Sequence, residues 1–392
     1  MRRGLNLVAA GFALTALSYG LARFAYGLLL PQIREDLSLG ITAAGWIGGS
    51  AFAAYCVGIV FAFYGIGALG ARFIALSAGV AATVGMGLVT FAASGWALGL
   101  GIGLAGLSTG LTSPPLATAV ATLFGNNDSP KANATINAGT AAGIVFSGLA
   151  TLLAAGAWRE LYGMFALLGA AVTVWLWYAV PAKDNARKNT RPAFAILRRP
   201  GVSALCASAF LMGLASTALW TFGADILRTD FDFTASHLAW LWVVVGAAGI
   251  CGSLTGVLTN RFGTACVHGG SLVAIAVGTL GLCAASISPV YGFAAMGLFG
   301  AAYIVSTGAF LIQGIDLLVD RPDLGLGIPF LTLALGQTVG TPLFGVTLDA
   351  AGTVGALAMF ASAACLAIFI RPRVGQGVCA AGRVEVAHDS HQ

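Results

Sequence analysis

Apolar residues run along this chain in long blocks, and polar residues are confined to short gaps between them. Twelve blocks approach or exceed the ~20 apolar residues a membrane-spanning helix needs. They run Leu5–Leu30, Ala43–Tyr64, Phe73–Ala93, Trp96–Phe124, Ala134–Ala157, Leu161–Val180, Val202–Leu227, His237–Leu258, Ala265–Ile287, Val290–Ile315, Leu326–Leu348 and Val354–Ile370. The gaps at Ser94–Gly95 and Ile287–Pro289 are so short that the flanking helices must be antiparallel hairpins. One long polar stretch, Pro181–Pro200, divides six blocks from six. The expected organisation is residues 1–180, a linker over 181–200, residues 201–373, and a tail over 374–392.

Composition sharpens this picture. Of 392 residues, 58% are hydrophobic and 8% charged, against about 25% charged in soluble domains. Mean hydropathy is +0.91. A soluble fold is excluded. The net charge of +5 does not point to nucleic acid, because the basic residues sit in scattered loops. Arg23 lies inside a block. Arg34, Arg159 and Arg228 lie at one set of block ends, and every other Lys and Arg lies at the opposite set or beyond it. That asymmetry places the richer side in the cytoplasm. With twelve spans, both termini are expected there, in a plasma (inner) membrane. Arg2 and Arg3 before an apolar run could open a signal peptide, but the run is too long and is read as a retained first helix. None of the seven cysteines forms a C-x-x-C pair, so neither a disulfide framework nor a metal site is expected. No cofactor is implied.

The first block holds the most informative stretch, Ser18–Pro31, SYGLARFAYGLLLP. Tyr19, Arg23 and Tyr26 are spaced to share one helix face. A charge at membrane depth costs roughly 2.5–3.5 kcal/mol on insertion scales, so Arg23 should face a protein interior or a water-filled cavity. No Asp or Glu lies mid-span; Asp225, Asp316 and Asp349 lie near span ends, and the histidines fall at ends or in the tail. No Ser-His-Asp or metal-ligating constellation is present, so an enzyme is not expected. Two G-x-G-x-x-G matches, Gly65–Gly70 and Gly101–Gly106, follow no strand and are not nucleotide sites.

The two halves read as copies. Ile33–Trp46 aligns with Leu227–Trp240 at an offset of 194, which pairs Arg34 with Arg228 and Asp36 with Asp230. The same offset pairs Gly103 and Gly106 with Gly297 and Gly300. An offset of 197 pairs Gly139, Gly143 and Gly148 with Gly336, Gly340 and Gly345.

The loop Gly256–Gly263, GVLTNRFG, resembles the G-x-L-a-D-r-x-G signature of the major facilitator superfamily. Gly256, Leu258, Arg261 and Gly263 match it, and Asn260 replaces the usual Asp. Its first-half counterpart, near Ala62–Gly70, lacks the acid and keeps only Arg72. Trp158–Arg159 and the glycine spacing of the fifth block are similar to family features too. The resemblance extends to about Arg373; it is specific for the superfamily, and within it the chain resembles small bacterial permeases of the sugar- or drug-efflux type.

It implies an all-α membrane protein: twelve transmembrane helices in two pseudo-symmetric six-helix bundles, with the first, fourth, seventh and tenth lining a central cavity. The residues placed there are Tyr19, Arg23, Tyr26, Ser108, Thr112, Ser113, Thr217, Trp220, Tyr303 and Thr307. Gly256, Asn260, Arg261 and Gly263 are the expected gate, with Arg261 bonding helix ends and so stabilising the outward-facing state. The expected activity is secondary transport by a monomer with a small-molecule substrate, either an organic anion held by Arg23 or, alternatively, export of amphipathic drug-like compounds or sugars. For Arg23 itself, a structural pair with Asp225 is the competing assignment.

Overall fold

The computed structural model describes residues 2–124, 128–154, 157–182 and 194–370. The linker charges Lys183, Arg187, Lys188 and Arg191, and the tail from Arg371, lie outside the described residues. Eleven helices among the described residues are long and apolar enough to cross a membrane. They are α1 (Arg2–Leu37), α2 (Ile41–Leu69), α3 (Ala71–Thr90), α4 (Gly95–Leu123), α5 (Ser129–Leu153), α6 (Trp158–Ala179), α7 (Val202–Asp230), α8 (Ala235–Phe262), α9 (Thr264–Ser286), α10 (Pro289–Leu317) and α11 (Pro322–Phe369). The last two expected blocks are joined in α11, which is broken at Gly352 (φ 67°, ψ 178°) into two helical arms. The first block was expected to stop at Leu30. Instead α1 passes through Pro31 to Leu37, because the proline costs only the bond to the Gly27 carbonyl.

Turn chemistry sets the hairpins. Ser94 caps α4 by accepting from the Ala97 amide, and Ser288 caps α10 by accepting from the Val290 amide. Gly70 and Gly263 each open the next helix at φ 82°, a backbone region that glycine enters without a Cβ penalty. Phe91, Trp96 and Leu153 are more than four-fifths exposed, as expected of side chains that face hydrocarbon.

Contacts repeat between the halves. Arg34 Nε donates to the Leu39 carbonyl and Arg228 Nη1 to the Phe233 carbonyl. Arg159 bonds Asp36, and 194 residues on Thr353 bonds Asp230. Gly106 lies against the Ala51 carbonyl, and Gly300 against that of Val245. Close backbone approach of this kind is how glycines bind helices in lipid. The 197 offset is corrected by the same contacts. Gly143 sits on the Ala16 carbonyl and Gly336 on that of Phe210, so α5 and α11 register at 193, one turn away. Glycines three and four apart let a one-turn slip pass unnoticed in the sequence.

The first and second halves meet along α1 with α7, α2 with α11, and α5 with α8. At the α1–α7 crossing, Gly27 lies on the Trp220 carbonyl so closely that any Cβ would overlap it. The short turn Phe194–Arg198 ends the linker. Arg199 then clamps Asp320 with two hydrogen bonds of 2.5 and 2.8 Å, which hold that carboxyl below the usual carboxylate range.

Candidate functional site

Arg23 sits in a nine-residue π-helical stretch of α1, Ala16–Phe24. Such wide turns are rare and gather at functional sites. Gly20, in the same stretch, lies directly on the backbone of Gly143 in α5, so α1 is pinned on one side while its other side turns inward. There Arg23 is 7% exposed. Its Nη2 donates to Gln337 Oε1 of α11 at 2.6 Å, and its Nε has no partner. Aromatic faces surround the guanidinium: its carbon lies 4.5 Å from the Phe52 ring centre, 4.7 Å from Tyr55 and 4.9 Å from Phe24. Cation–π contacts of this kind partly offset the loss of hydration.

Gln337 is fully buried and spends its amide on both halves of the site. While its oxygen accepts from Arg23, its nitrogen donates to Ser216 Oγ (3.1 Å) and to the Tyr303 hydroxyl (3.3 Å). Trp220 stacks on Phe24, with ring centres 4.2 Å apart, and meets Tyr303 edge-on at 5.3 Å. Its indole Nε1 is buried and unpartnered. Between these groups is a cavity of about 10 Å³, lined by Arg23, Tyr26, Phe52, Trp220 and Thr221 among others, which is room for about one water. The site is therefore closed tightly around its arginine.

The sequence-predicted residues divide into four groups. Arg23, Trp220 and Tyr303 converge on this centre. Tyr19 and Ser113 form a neighbouring hydrogen bond of 3.1 Å, with Tyr19 6.0 Å from the guanidinium. Tyr26 lines the cavity, but its hydroxyl donates to the Ala44 carbonyl. The other hydroxyls close largely on their own helices: Ser108 on Ala105, Thr112 on Ser108 and also on Ser18, Thr217 on Leu214, and Thr307 on Ile304. Gln337, Tyr55 and Phe52 were missed. The visible signal for Gln337 was an amide between Gly336 and Gly340 in a run of apolar residues, glycines and threonines.

One further expectation is corrected. Asp225 does not pair with Arg23. It pairs with Arg34, which joins the ends of α1 and α7, while its Oδ1 has no partner. Arg261 is exposed and lies over the neighbouring Phe262 ring, at 5.2 Å; the helix-end bond expected of it belongs to the outward-facing state and is unmade in this conformation. In the first half Arg72, two residues past the matching turn at Gly70, makes a helix-end bond: its Nε donates to the Val180 carbonyl at the end of α6 (2.7 Å). Within the loop, Gly263 supplies the left-handed turn, whereas nothing crowds Gly256 and Asn260 is exposed.

The chain is thus a many-helix membrane protein with a buried arginine cage between its two halves. The sequence profile of the Major Facilitator Superfamily matches residues 12–321, and the chain belongs to that superfamily. Among solved structures, the nucleoside transporter NupG superposes with a TM-score of 0.75 at 14% identity, covering 94% of this chain and 98% of that one. The D-xylose-proton symporter gives 0.74 at 15%, covering 94% and 96%. A protein of Pseudomonas aeruginosa named transcription regulatory protein OpdE is 30% identical over 310 residues, 74% of each chain. This chain is a transporter-family membrane protein.

Proposed function

We propose that the protein is a secondary carrier that moves a small organic anion by alternating access, with Arg23 as the anchor. The architecture in this reading is twelve spans in two six-helix bundles, residues 1–180 and 201–373, counting the two arms of α11 separately. Both termini and the 181–200 linker lie in the cytoplasm and the bilayer is the plasma membrane, as the arginine asymmetry of the loops suggests. The protein works as a monomer.

One observation carries the anion reading. A guanidinium buried at membrane depth has a neutral amide, not a carboxylate, as its hydrogen-bonded partner, and Nε is unused. Its charge is thus uncompensated, and its planar fork of donors suits a carboxylate or phosphate. The Phe52, Tyr55 and Trp220 faces would take the apolar body of the substrate. The test is uptake of labelled organic anions into proteoliposomes. Arg23→Ala and Arg23→Lys should both weaken uptake severely while folded protein still reaches the membrane. Full transport by Arg23→Ala would end the reading.

The name of the Pseudomonas aeruginosa relative favours a second reading, in which this chain influences transcription. A carrier that sets the internal level of an effector would do so without touching DNA. Under that reading, deleting the gene changes transcription, and an externally supplied permeant form of the solute restores it.

A further inference from the structure

The cavity beside Arg23 is walled by aromatic rings. Of its nine lining residues, Phe24, Tyr26, Phe52 and Trp220 are aromatic, and none is Leu, Ile, Val or Met. Aromatic residues make up 10% of the chain, so four in nine is a concentration and not the background. Gly27, Gly48 and Ala51 complete the apolar wall and leave the ring faces uncluttered. Trp220 is held in plane by Phe299 and Tyr303, both edge-on at 5.3 Å. Its own face is covered by Phe24, at 4.2 Å and 29°. Phe24 belongs to α1 and Trp220 to α7, so this stack joins the two halves.

Hydrogen-bonding capacity narrows what the cavity can accept. Among the described residues, the cavity-lining polar atoms that are buried without a partner are Arg23 Nε and Trp220 Nε1. Their residues are 7% and 2% exposed. Both atoms can only donate, and the amide oxygen at the guanidinium, Gln337 Oε1, is already used. The site therefore calls for a ligand that brings two acceptors, one anionic for the guanidinium and one for the indole. A sugar acid would bring a hydroxyl donor with nearly every acceptor and deepen the mismatch. Charge sets a further limit. The groups around Arg23 are Gln337 and aromatic rings, all neutral, so a monoanion balances the site. A phosphate monoester, at about −1.5 to −2, would leave buried charge over.

We propose that the cargo is a flat, monocyclic aromatic monocarboxylate with a second acceptor on its ring, and that Trp220 is the residue that reads this acceptor. The carboxylate takes the Nη2 and Nε donors of Arg23 side by side. The ring takes the Trp220 face that Phe24 covers in this conformation, a cover one ring in size, which parting of α1 from α7 exposes. Trp220 Nε1 then donates to the ring acceptor. The site described here fills itself with parts of its own chain: the Gln337 amide stands for the carboxylate and Phe24 for the ring.

The proposal rests on the anion-carrier reading, and the test separates the two. Full-length protein in nanodiscs is titrated calorimetrically at neutral pH with benzoate, cyclohexanecarboxylate, nicotinate, isonicotinate and phenyl phosphate. Benzoate should bind about tenfold more tightly than cyclohexanecarboxylate, which has the same carboxylate and no π face. Nicotinate or isonicotinate, which add a ring acceptor without adding bulk, should bind about tenfold more tightly than benzoate. In Trp220→Phe, which keeps a face and loses the N–H, that pyridine acid and benzoate should bind alike. The comparison of ligands on the unaltered chain stands even where the variant does not fold. Equal binding of benzoate and cyclohexanecarboxylate, both lost in Arg23→Ala, would overturn the aromatic cargo and leave the anion anchor in place. Tighter binding of phenyl phosphate than of benzoate, lost in Arg23→Ala, would do the same to the monocarboxylate. A preference for the pyridine acid that survives Trp220→Phe, or its absence from the unaltered chain, would overturn the role of Trp220. Binding of none of the five, or binding that Arg23→Ala leaves intact, would overturn both the aromatic cargo and the anion anchor.

Discussion

Breaking the Arg34–Asp225 pair should release the end of the molecule that it closes. The two residues belong to α1 and α7, one from each half, and meet through Arg34 Nη1 and Asp225 Oδ2. The Asp225 side chain is 3% exposed and that of Arg34 22%. Removing the arginine leaves a buried carboxylate without a partner, which costs about 3–5 kcal/mol in well-buried pairs. Partial exposure of Arg34 argues for the lower end. A loss of about 3 kcal/mol confined to the closed state changes the closed-to-open ratio on the order of a hundredfold. The readout is labelling of a cysteine at Thr221, which lines the cavity, by a membrane-impermeant thiol reagent in right-side-out vesicles. Arg34→Gln should speed labelling strongly, and Asp225→Asn should do so less, because it leaves no bare carboxylate. The double variant should be no faster than Arg34→Gln alone, since the pair can be lost only once. Unchanged labelling in folded Arg34→Gln would refute the argument, and additive effects would show that the two residues act separately.

Two other predictions follow from the packing. Gly27→Ala places a methyl into the Trp220 carbonyl across the two halves, whereas Gly106→Ala places one into the Ala51 carbonyl within the first half. Both overpack by roughly 1–3 kcal/mol; the first should move Thr221 labelling with little loss of thermal stability, and the second should lower the melting temperature and leave labelling alone. Arg261→Ala should leave the conformation described here unchanged, since its guanidinium makes no helix-end bond in it, and should lower the share of molecules whose Arg261 end is closed, read as faster labelling of cysteines on α10 from that side.

The spans were legible because membrane helices must be long and apolar whatever their neighbours, and the repeat was legible because it recurs at a nearly constant offset. The helix bounds were less so: Pro31 reads as a stop, yet α1 needs only to give up one bond at Gly27 to pass it. Arg23 was legible as an inward-facing residue because charge at depth is expensive, but its partner was not. Gln337 lies 314 residues away, and an amide among alanines and glycines looks the same whether it faces lipid, a neighbour or a ligand. Arg34 and Asp225 were each visible, the first as a loop charge and the second as a rival partner for Arg23. Only the α1–α7 crossing, at Gly27, brings them together. His268, buried between Ser208 of α7 and Ser306 of α10, was hidden for a simpler reason: counted from its helix start it looks peripheral, and only the surrounding helices bury it.

The amide of Gln337 bears on the half of a transport cycle in which nothing is carried. A carrier that grips its cargo with a buried cation must return empty, and a bare guanidinium in a dry passage would make that journey slow. Here the Gln337 oxygen accepts from the guanidinium, and under the carrier reading proposed above it stands where a cargo oxygen would. In that reading arriving cargo displaces it, which frees the amide from Ser216 and Tyr303 as well. The same reading gives the empty carrier a hydrogen-bonded, though still charged, guanidinium for its return.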